Sequence, residues 1–205
     1  MAAHECLICG AAFQGSRPER CTDCGGDHLV AAGTGTRSER RPAQYGPGDH
    51  AALLYDSDDR CMSALLPFVR DGVAAGNRVV GVVNDHLRDL LRAQLTSAEA
   101  RRVEMIGPAE HFGATFSADR THDAWSRLIA ETDGVLRGFG GPDAPTARSV
   151  DPDEWSRYER SIGGLLGDSA LGLCIYDTRC CPPDLLETAA AHPLIGCRDK
   201  IHVCG

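Results

Sequence analysis

The sequence lacks any apolar run long enough to cross a membrane, and no apolar signal segment follows Met1. It also lacks an excess of positive charge, since 21 lysines and arginines face 29 acidic residues and the net charge is −8. Non-specific nucleic-acid binding draws its affinity from a basic face that neutralises phosphates, so this balance argues against a nucleic-acid partner. We therefore expect a cytoplasmic protein with neither a membrane nor a nucleic acid as its partner.

Catalytic motifs are missing as well. The sequence contains no nucleophile elbow, no HExxH zinc motif, no paired-carboxylate signature and no dinucleotide-binding glycine turn. The stretch Gly138-Phe139-Gly140-Gly141 is rich in glycine, but it follows a predicted strand without the spacing that a dinucleotide needs. The sequence thus predicts a protein that is not an enzyme, and an enzyme of unknown type is one alternative.

Cysteine, by contrast, is abundant, with ten in 205 residues. Cys6-Leu-Ile-Cys9-Gly and Cys21-Thr-Asp-Cys24-Gly form two CxxC knuckles that eleven residues separate. A CxxC turn directs two thiolates at one point, and four thiolates complete a tetrahedral zinc site with no open position. The spacing predicts a structural Zn²⁺ on Cys6, Cys9, Cys21 and Cys24, within a zinc-ribbon-like module over residues 1–30. A redox CxxC pair and a disulfide framework are the alternatives.

The composition changes after this module. Residues 31–48 are dense in glycine, proline and polar residues without apolar periodicity, which is typical of a linker. Beyond them, short apolar runs alternate with amphipathic stretches, and Asp151-Pro152-Asp153-Glu154 has the pattern of a helix start with a capping box. Strands are predicted at residues 51–55, 78–83, 103–106, 135–139 and 171–176, with an edge strand at 200–203. The alternation predicts an α/β fold over residues 49–205, with a mostly parallel sheet covered by helices on both faces.

Three blocks of this region resemble the MEDS sensory domain of DcmR-like regulators. They are Gly48-Asp49-His50-Ala51-Ala52-Leu53-Leu54-Tyr55-Asp56, then Phe68-Val69-Arg70-Asp71-Gly72-Val73-Ala74-Ala75-Gly76-Asn77, and finally Cys174-Ile175-Tyr176-Asp177 with His192-Pro193-Leu194-Ile195. The resemblance covers about residues 45–205, and it implies a fold like that of RecA and KaiC ATPases and a sensory role for small organic ligands. The loop from Tyr55 to Cys61 has three aspartates but no glycine or lysine, so it lacks the phosphate cradle GxxxxGK[ST] and predicts neither ATP binding nor hydrolysis.

Polar side chains cluster where predicted strands end, which is where ligands bind in parallel sheets. The candidate ligand-binding residues are Tyr55, Asp56, His86, Tyr176, Asp177 and Arg179. In the fold that the domain resembles, the first and fifth strands are neighbours, so the two tyrosines and two carboxylates would share one amphipathic pocket. Solvated loop residues are the alternative. His50, at the start of the first strand, is either a structural histidine or a site residue.

The remaining cysteines suggest a different function. Cys180-Cys181-Pro182 resembles thiols that sense redox state and short motifs that bind soft metals or haem, so a thiol-based redox or metal/haem sensor is an alternative. His192, Cys197, His202 and Cys204 lie nearby in the sequence, but their spacings fit no zinc pattern. We expect Cys174 to be buried in its strand.

The leading hypothesis is a non-catalytic signalling protein that senses a small organic ligand through the MEDS-like domain. Many relatives of this domain carry a DNA-binding or histidine-kinase output, and no such segment is evident here. We therefore expect the signal to pass to a protein partner, such as a kinase, an anti-sigma factor or a transcription regulator. The zinc module is the expected docking element.

Overall fold

The computed structural model describes residues 3–6, 12–14, 22, 29–31, 36–37, 45–142, 150–189 and 192–196. Near the N-terminus, β1 (Ala3–Cys6) lies between β2 (Ala12–Gln14) and β3 (Leu29–Ala31) in an antiparallel sheet. Cys6 is the last residue of β1. The other three predicted zinc ligands, Cys9, Cys21 and Cys24, lie outside the described residues, so the zinc site stays a prediction.

A parallel sheet forms the body of the larger domain. Its five main strands are β5 (His50–Tyr55), β6 (Arg78–Val82), β7 (Val103–Ile106), β8 (Leu136–Gly140) and β9 (Ala170–Asp177). They follow the spatial order β5-β9-β8-β6-β7, and β10 (Pro193–Gly196) and then β4 (Thr36–Arg37) extend the β5 edge. Every pairing described in this sheet is parallel. The predicted α/β class with a parallel sheet is therefore confirmed.

Helices cover both faces of this sheet. The described helices are α1 (Asp58–Ala74), α2 (Asp85–Gln94), α3 (Ser97–Ala100), α4 (Pro108–Phe112), α5 (Ala118–Ala130), α6 (Pro152–Leu166) and α7 (Pro183–Ala189). The apolar residues of α1 and α2 form one core with one face of the sheet, and those of α4 to α7 form a second core with the other. Within the described part of the chain, no helix has both the length and the apolar character that crossing a membrane requires.

The start of α6 agrees with the sequence pattern in part. Asp151 is the N-cap residue, and its side chain accepts hydrogen bonds from the backbone N–H groups of Asp153 and Glu154. Glu154 was predicted to close a capping box, but its carboxylate instead accepts from the backbone N–H of Ala118, at 3.2 Å. Because Ala118 is the first residue of α5, Glu154 ties the start of α5 to the start of α6.

The edge of the sheet beside β5 contains two strands, β10 and β4, that the sequence does not predict. The sequence places no strand at Pro193–Gly196, yet these residues pair with β5. The short strand Thr36–Arg37 falls inside the predicted linker and pairs with β10. The predicted edge strand at 200–203 lies outside the described residues.

Candidate functional site

The register of the central strands brings a histidine, a cysteine and three glycines together on one face. His50 lies opposite Gly172, and Gly172 lies opposite Gly138 on the next strand. Two residues further along, Cys174 lies opposite Gly140. Side chains alternate between the two faces of a strand, so these five residues share the face that α5 and α6 cover. The three glycines leave space beneath those helices.

A cavity of about 30 Å³ occupies this space. Its apolar wall includes Phe112, Trp125, Trp155, Tyr158, Ile162 and Leu166. His50 and Cys174 also line it and supply its polar end. Because a buried water needs about 10–15 Å³, the cavity can hold a molecule of roughly two or three heavy atoms.

The glycines keep the cavity open. A methyl group added at Gly172 would lie 3.3 Å from His50 Cδ2 and 3.5 Å from Leu166 Cδ1. A methyl group added at Gly138 would lie 3.0 Å from the ring of Trp125. A single alanine substitution in either strand would therefore occupy the space that a small molecule could use.

Four side chains converge beside the polar end of the cavity, and we refer to them as the buried polar cluster: His50, Glu159, Cys174 and His192. Glu159 Oε2 lies 2.9 Å from His192 Nε2 and 3.3 Å from His50 Nε2. His50 Nε2 lies 3.2 Å from His192 Nε2 and 3.2 Å from Cys174 Sγ. Cys174 Sγ donates to Glu159 Oε2 at 3.4 Å. The Glu159 and His192 side chains are each 2% exposed, so water does not screen this group.

The hydrogen bonds of His192 fix its charge. Its Nδ1 lies 3.2 Å from the carbonyl oxygen of Ala189, which can only accept, and its Nε2 faces the Glu159 carboxylate. Both ring nitrogens therefore carry a proton when Glu159 is ionised. Burial alone would lower the pKa of His192, but the charge and hydrogen bond of Glu159 outweigh burial and raise it.

The same contacts shift the pKa values of Glu159 and His50. Burial would raise the pKa of Glu159, but the charges and hydrogen bonds of His192 and His50 together lower it. Burial lowers the pKa of His50, against the opposing effect of Glu159. The directions of these pKa shifts favour an ionised Glu159, a protonated His192 and a neutral His50.

The other carboxylate oxygen of Glu159, Oε1, is at the end of a chain of hydrogen bonds through Tyr176 and Trp155. The Tyr176 hydroxyl donates to Glu159 Oε1 at 2.6 Å and accepts from Trp155 Nε1 at 3.0 Å. Trp155 and Glu159 are four residues apart and so lie on the same face of α6. Since Trp155 also lines the cavity, this chain of hydrogen bonds links the cavity wall to the buried polar cluster.

Five of the six predicted ligand-binding residues lie together at the carboxyl ends of the strands: Tyr55, Asp56, His86, Asp177 and Arg179. Arg179 donates to Asp177 at 2.6 Å and to Asp58 at 2.9 Å, and His86 lies 2.8 Å from Asp58. The guanidinium of Arg179 lies 5.9 Å from the ring centroid of Tyr55. The pocket beside Tyr55 has a volume of about 10 Å³, so it holds at most one water. A ligand role for these residues stays a prediction.

Tyr176 does not join them, which corrects the predicted pocket shared by the two tyrosines. Strands β5 and β9 are indeed neighbours, but Tyr176 pairs with Leu54 while Tyr55 pairs with Asp177. This offset of one residue sends the two tyrosines to opposite faces of the sheet. Tyr176 is fully buried in the core beneath α6, whereas Tyr55 packs with the core on the α1 side.

The predicted thiol switch has one buried member. Burial, with Cys180 and Asp177 adding to the effect, raises the pKa of Cys181 to about 12. The half-buried Cys180 donates through its thiol to the carbonyl oxygen of Asp177, at 3.7 Å. Because the thiolate is the reactive form, the raised pKa weighs against Cys181 as a nucleophile near neutral pH. Cys61 is buried too, and burial raises its pKa to about 12.

The sequence reasoning missed most of the buried polar cluster. Cys174 is buried as predicted, and the sequence is compatible with either a structural or a site role for His50. The sequence groups His192 only with Cys197, His202 and Cys204, which lie outside the described residues. Glu159 is not among the predicted site residues, although a lone carboxylate inside the apolar stripe of α6, between Tyr158 and Ile162, is a visible signal in the sequence.

These features define an α/β domain with a parallel sheet and a small aromatic-walled cavity that ends in a charged, buried cluster. Residues 49–193 match the family described as MEDS, the MEthanogen/methylotroph, DcmR Sensory domain. This match spans more than half of the chain, and the protein therefore belongs to the MEDS family. The family indicates a sensory role in signalling, and all four residues of the buried polar cluster lie within the matched range. A comparison with curated proteins found no match.

Proposed function

We propose that this protein is a non-catalytic signalling protein that senses a small, neutral organic molecule in the cavity above Gly138 and Gly172. The observation that carries the proposal is the position of the cavity, between the aromatic side chains of α5 and α6 and the polar edge formed by His50 and Cys174. An apolar body would contact the aromatic wall. One polar group on the same molecule would face His50.

The cavity volume limits the size and affinity of the ligand. Very small ligands gain at most about 1.5 kcal/mol of binding free energy per heavy atom. Two or three heavy atoms therefore give about −3 to −4.5 kcal/mol, which corresponds to dissociation constants of roughly 0.5 to 6 mM. A charged ligand is disfavoured, because the apolar wall offers no compensation for its lost hydration.

The buried polar cluster offers a route from the cavity to the edge of the sheet. His50 lines the cavity, and its ring centroid lies 4.2 Å from that of His192. His192 immediately precedes β10, which pairs with β5 on one side and with β4 on the other. A ligand that shifts His50 would therefore perturb β10 and β4. The N-terminal module precedes β4 in the chain, so it is the proposed docking element for a partner such as a kinase, an anti-sigma factor or a transcription regulator.

Intrinsic fluorescence tests the proposal directly. The chain has two tryptophans, and both Trp125 and Trp155 line the cavity. We expect methanol and ethanol, with two and three heavy atoms, to change the tryptophan emission with saturation in the millimolar range. Alcohols longer than the cavity, such as 1-hexanol, should produce no saturable change at matched concentrations.

A matched pair of glycine variants controls for general solvent effects. Gly172→Ala fills the cavity and should abolish the saturable change. Gly163→Ala adds the same methyl group on the exposed face of α6, where nothing lies within 4 Å, and should leave the change intact. An emission change that is linear in alcohol concentration and equal in both variants would contradict the proposal.

A further inference from the structure

The buried polar cluster has the donor set and the spacing of a metal site. We propose that His50, Glu159, Cys174 and His192 bind one transition-metal ion, with Zn²⁺ as the best match. This site is separate from the predicted four-cysteine site near the N-terminus. It also does not depend on the proposed ligand, because metal content can be measured with the cavity empty.

The geometry fits tetrahedral coordination. Zinc lies about 2.0–2.1 Å from nitrogen or oxygen ligands and about 2.3 Å from sulfur, so a regular tetrahedron has ligand-to-ligand edges of about 3.3–3.6 Å. Five of the six edges among the four ligand atoms measure between 2.9 and 3.4 Å. All four atoms lie within 4.8 Å of one another. A small expansion would therefore admit the ion without rebuilding the site.

A hydrogen-bonded ion pair does not account for all of these contacts. The pair of Glu159 and His192 uses one oxygen and one nitrogen, yet His50 Nε2 faces the same oxygen at 3.3 Å and the nitrogen of His192 at 3.2 Å. A ring nitrogen carries at most one proton, so His50 can bond to only one of its three neighbours as a donor. A cation at the centre would give all four atoms the same partner.

The charges of the ligands also balance the ion. Glu159 as a carboxylate and Cys174 as a thiolate supply two negative charges, and the two histidines bind as neutral rings. A divalent cation then leaves the buried site with no net charge, which removes most of the cost of placing it in the core. Nitrogen and thiolate ligands favour zinc and similar ions over magnesium or calcium.

The outer atoms of the ligands are held in the way that metal sites require. His192 Nδ1 bonds to the Ala189 carbonyl, which points Nε2 at the centre of the cluster. Glu159 Oε1 accepts from Tyr176, so Oε2, which faces the other three side chains, is the oxygen that would bind the metal. Such outer hydrogen bonds orient metal ligands and tune their basicity. Four protein ligands fill a tetrahedron, so we infer a structural ion that fastens β5, α6, β9 and the start of β10 together.

Metal stoichiometry on the full chain provides the test. Chelator-treated protein is incubated with Zn²⁺, passed through a desalting column and analysed for zinc. We expect one zinc to remain in a chain carrying both Cys21→Ser and Cys24→Ser, in which the N-terminal site is disabled. Cobalt in place of zinc in this same variant should give a thiolate-to-cobalt charge-transfer band and the intense visible bands of tetrahedral Co²⁺. Less than stoichiometric zinc, or an octahedral cobalt spectrum without the thiolate band, would overturn the proposal.

Two cysteine variants, made in the chain that carries Cys21→Ser and Cys24→Ser, test whether Cys174 binds the metal. Cys174→Ser should weaken zinc binding by more than about 100-fold, because loss of an outer partner alone costs about 10- to 100-fold. Cys61→Ser changes another fully buried cysteine, on the opposite face of the sheet, and should leave the zinc content unchanged. Circular dichroism confirms the fold of both variants. If both variants retain zinc equally, or if both lose it equally, the role of Cys174 as a metal ligand is refuted.

Discussion

Tyr176 supports the buried polar cluster from one side, and Tyr176→Phe removes that support with little change in shape. The hydroxyl that is lost donates to Glu159 Oε1 and accepts from Trp155 Nε1. Both partners stay buried, since Glu159 is 5% and Trp155 is 1% exposed. The substitution therefore leaves one N–H donor without a partner and deprives an ionised carboxylate of a hydrogen bond.

The expected loss follows from these two contacts. A buried donor without a partner costs about 1–3 kcal/mol, and a hydrogen bond to a charged group contributes about 1.5–3 kcal/mol. The gain from burying a phenylalanine in place of a tyrosine offsets part of this sum, so we expect the free energy of unfolding to fall by about 3 kcal/mol. For a protein of this size, such a change lowers Tm by about 6–12 °C.

Thermal and urea unfolding followed by far-ultraviolet circular dichroism measure this change without relying on Trp155, whose emission the substitution alters. The control is Tyr158→Phe, which removes a hydroxyl from a neighbouring buried tyrosine of the same aromatic layer. Within the described residues, the hydroxyl of Tyr158 makes no hydrogen bond to Glu159 and bonds instead to the neutral Trp125. Because no hydrogen bond to a charged group is lost, this variant should lose less than Tyr176→Phe. Equal losses in the two variants would refute the idea that Tyr176 holds Glu159.

Three further predictions concern charge, zinc and nucleotides. In metal-free protein, the lowered pKa of Glu159 stabilises the fold above about pH 4.3, and the raised pKa of His192 stabilises it below about pH 6.5. A double-mutant cycle with Glu159→Gln and His192→Gln measures the coupling between these residues in the free energy of unfolding. This coupling should be larger at about pH 5.5 than at about pH 9, and a coupling that does not depend on pH would contradict the ion pair. Cys21→Ser with Cys24→Ser should remove one zinc per chain by elemental analysis, and unchanged content would exclude the N-terminal site. Calorimetry should show no magnesium-dependent ATP binding at micromolar levels, because the acidic loop after β5 lacks a phosphate cradle.

The periodicity of the sequence predicts most of the larger domain. Strands β5 to β9 and the long helices depend on local patterns of apolar residues, which a single sequence displays. Strand β10 could not be predicted in this way. It begins at Pro193 and ends at Gly196, two residue types that weaken a strand pattern, and it is stabilised by pairing with β5, a strand far away in the sequence.

The candidate site was harder to predict because it depends on register and on long-range contacts. The alternation of a strand shows that Tyr55 and Asp177 can be neighbours at the strand ends. It does not show that β9 is offset by one residue, which places Tyr176 on the other face. Likewise, helical spacing puts Glu159 on the apolar face of α6, but only the fold brings His50 and His192 to it, although these two histidines are 142 positions apart in the sequence.

The location of the bound molecule tests the central claim most directly. Isotope-filtered NMR with ¹³C-labelled ethanol detects contacts between the ethanol methyl group and individual protein protons. We predict nuclear Overhauser effects from this methyl group to the indole protons of both Trp125 and Trp155, and their disappearance in Gly172→Ala. Effects confined to Tyr55 and its neighbours at the strand ends, or no effect at millimolar ethanol, would contradict the assignment of the cavity as the sensory site.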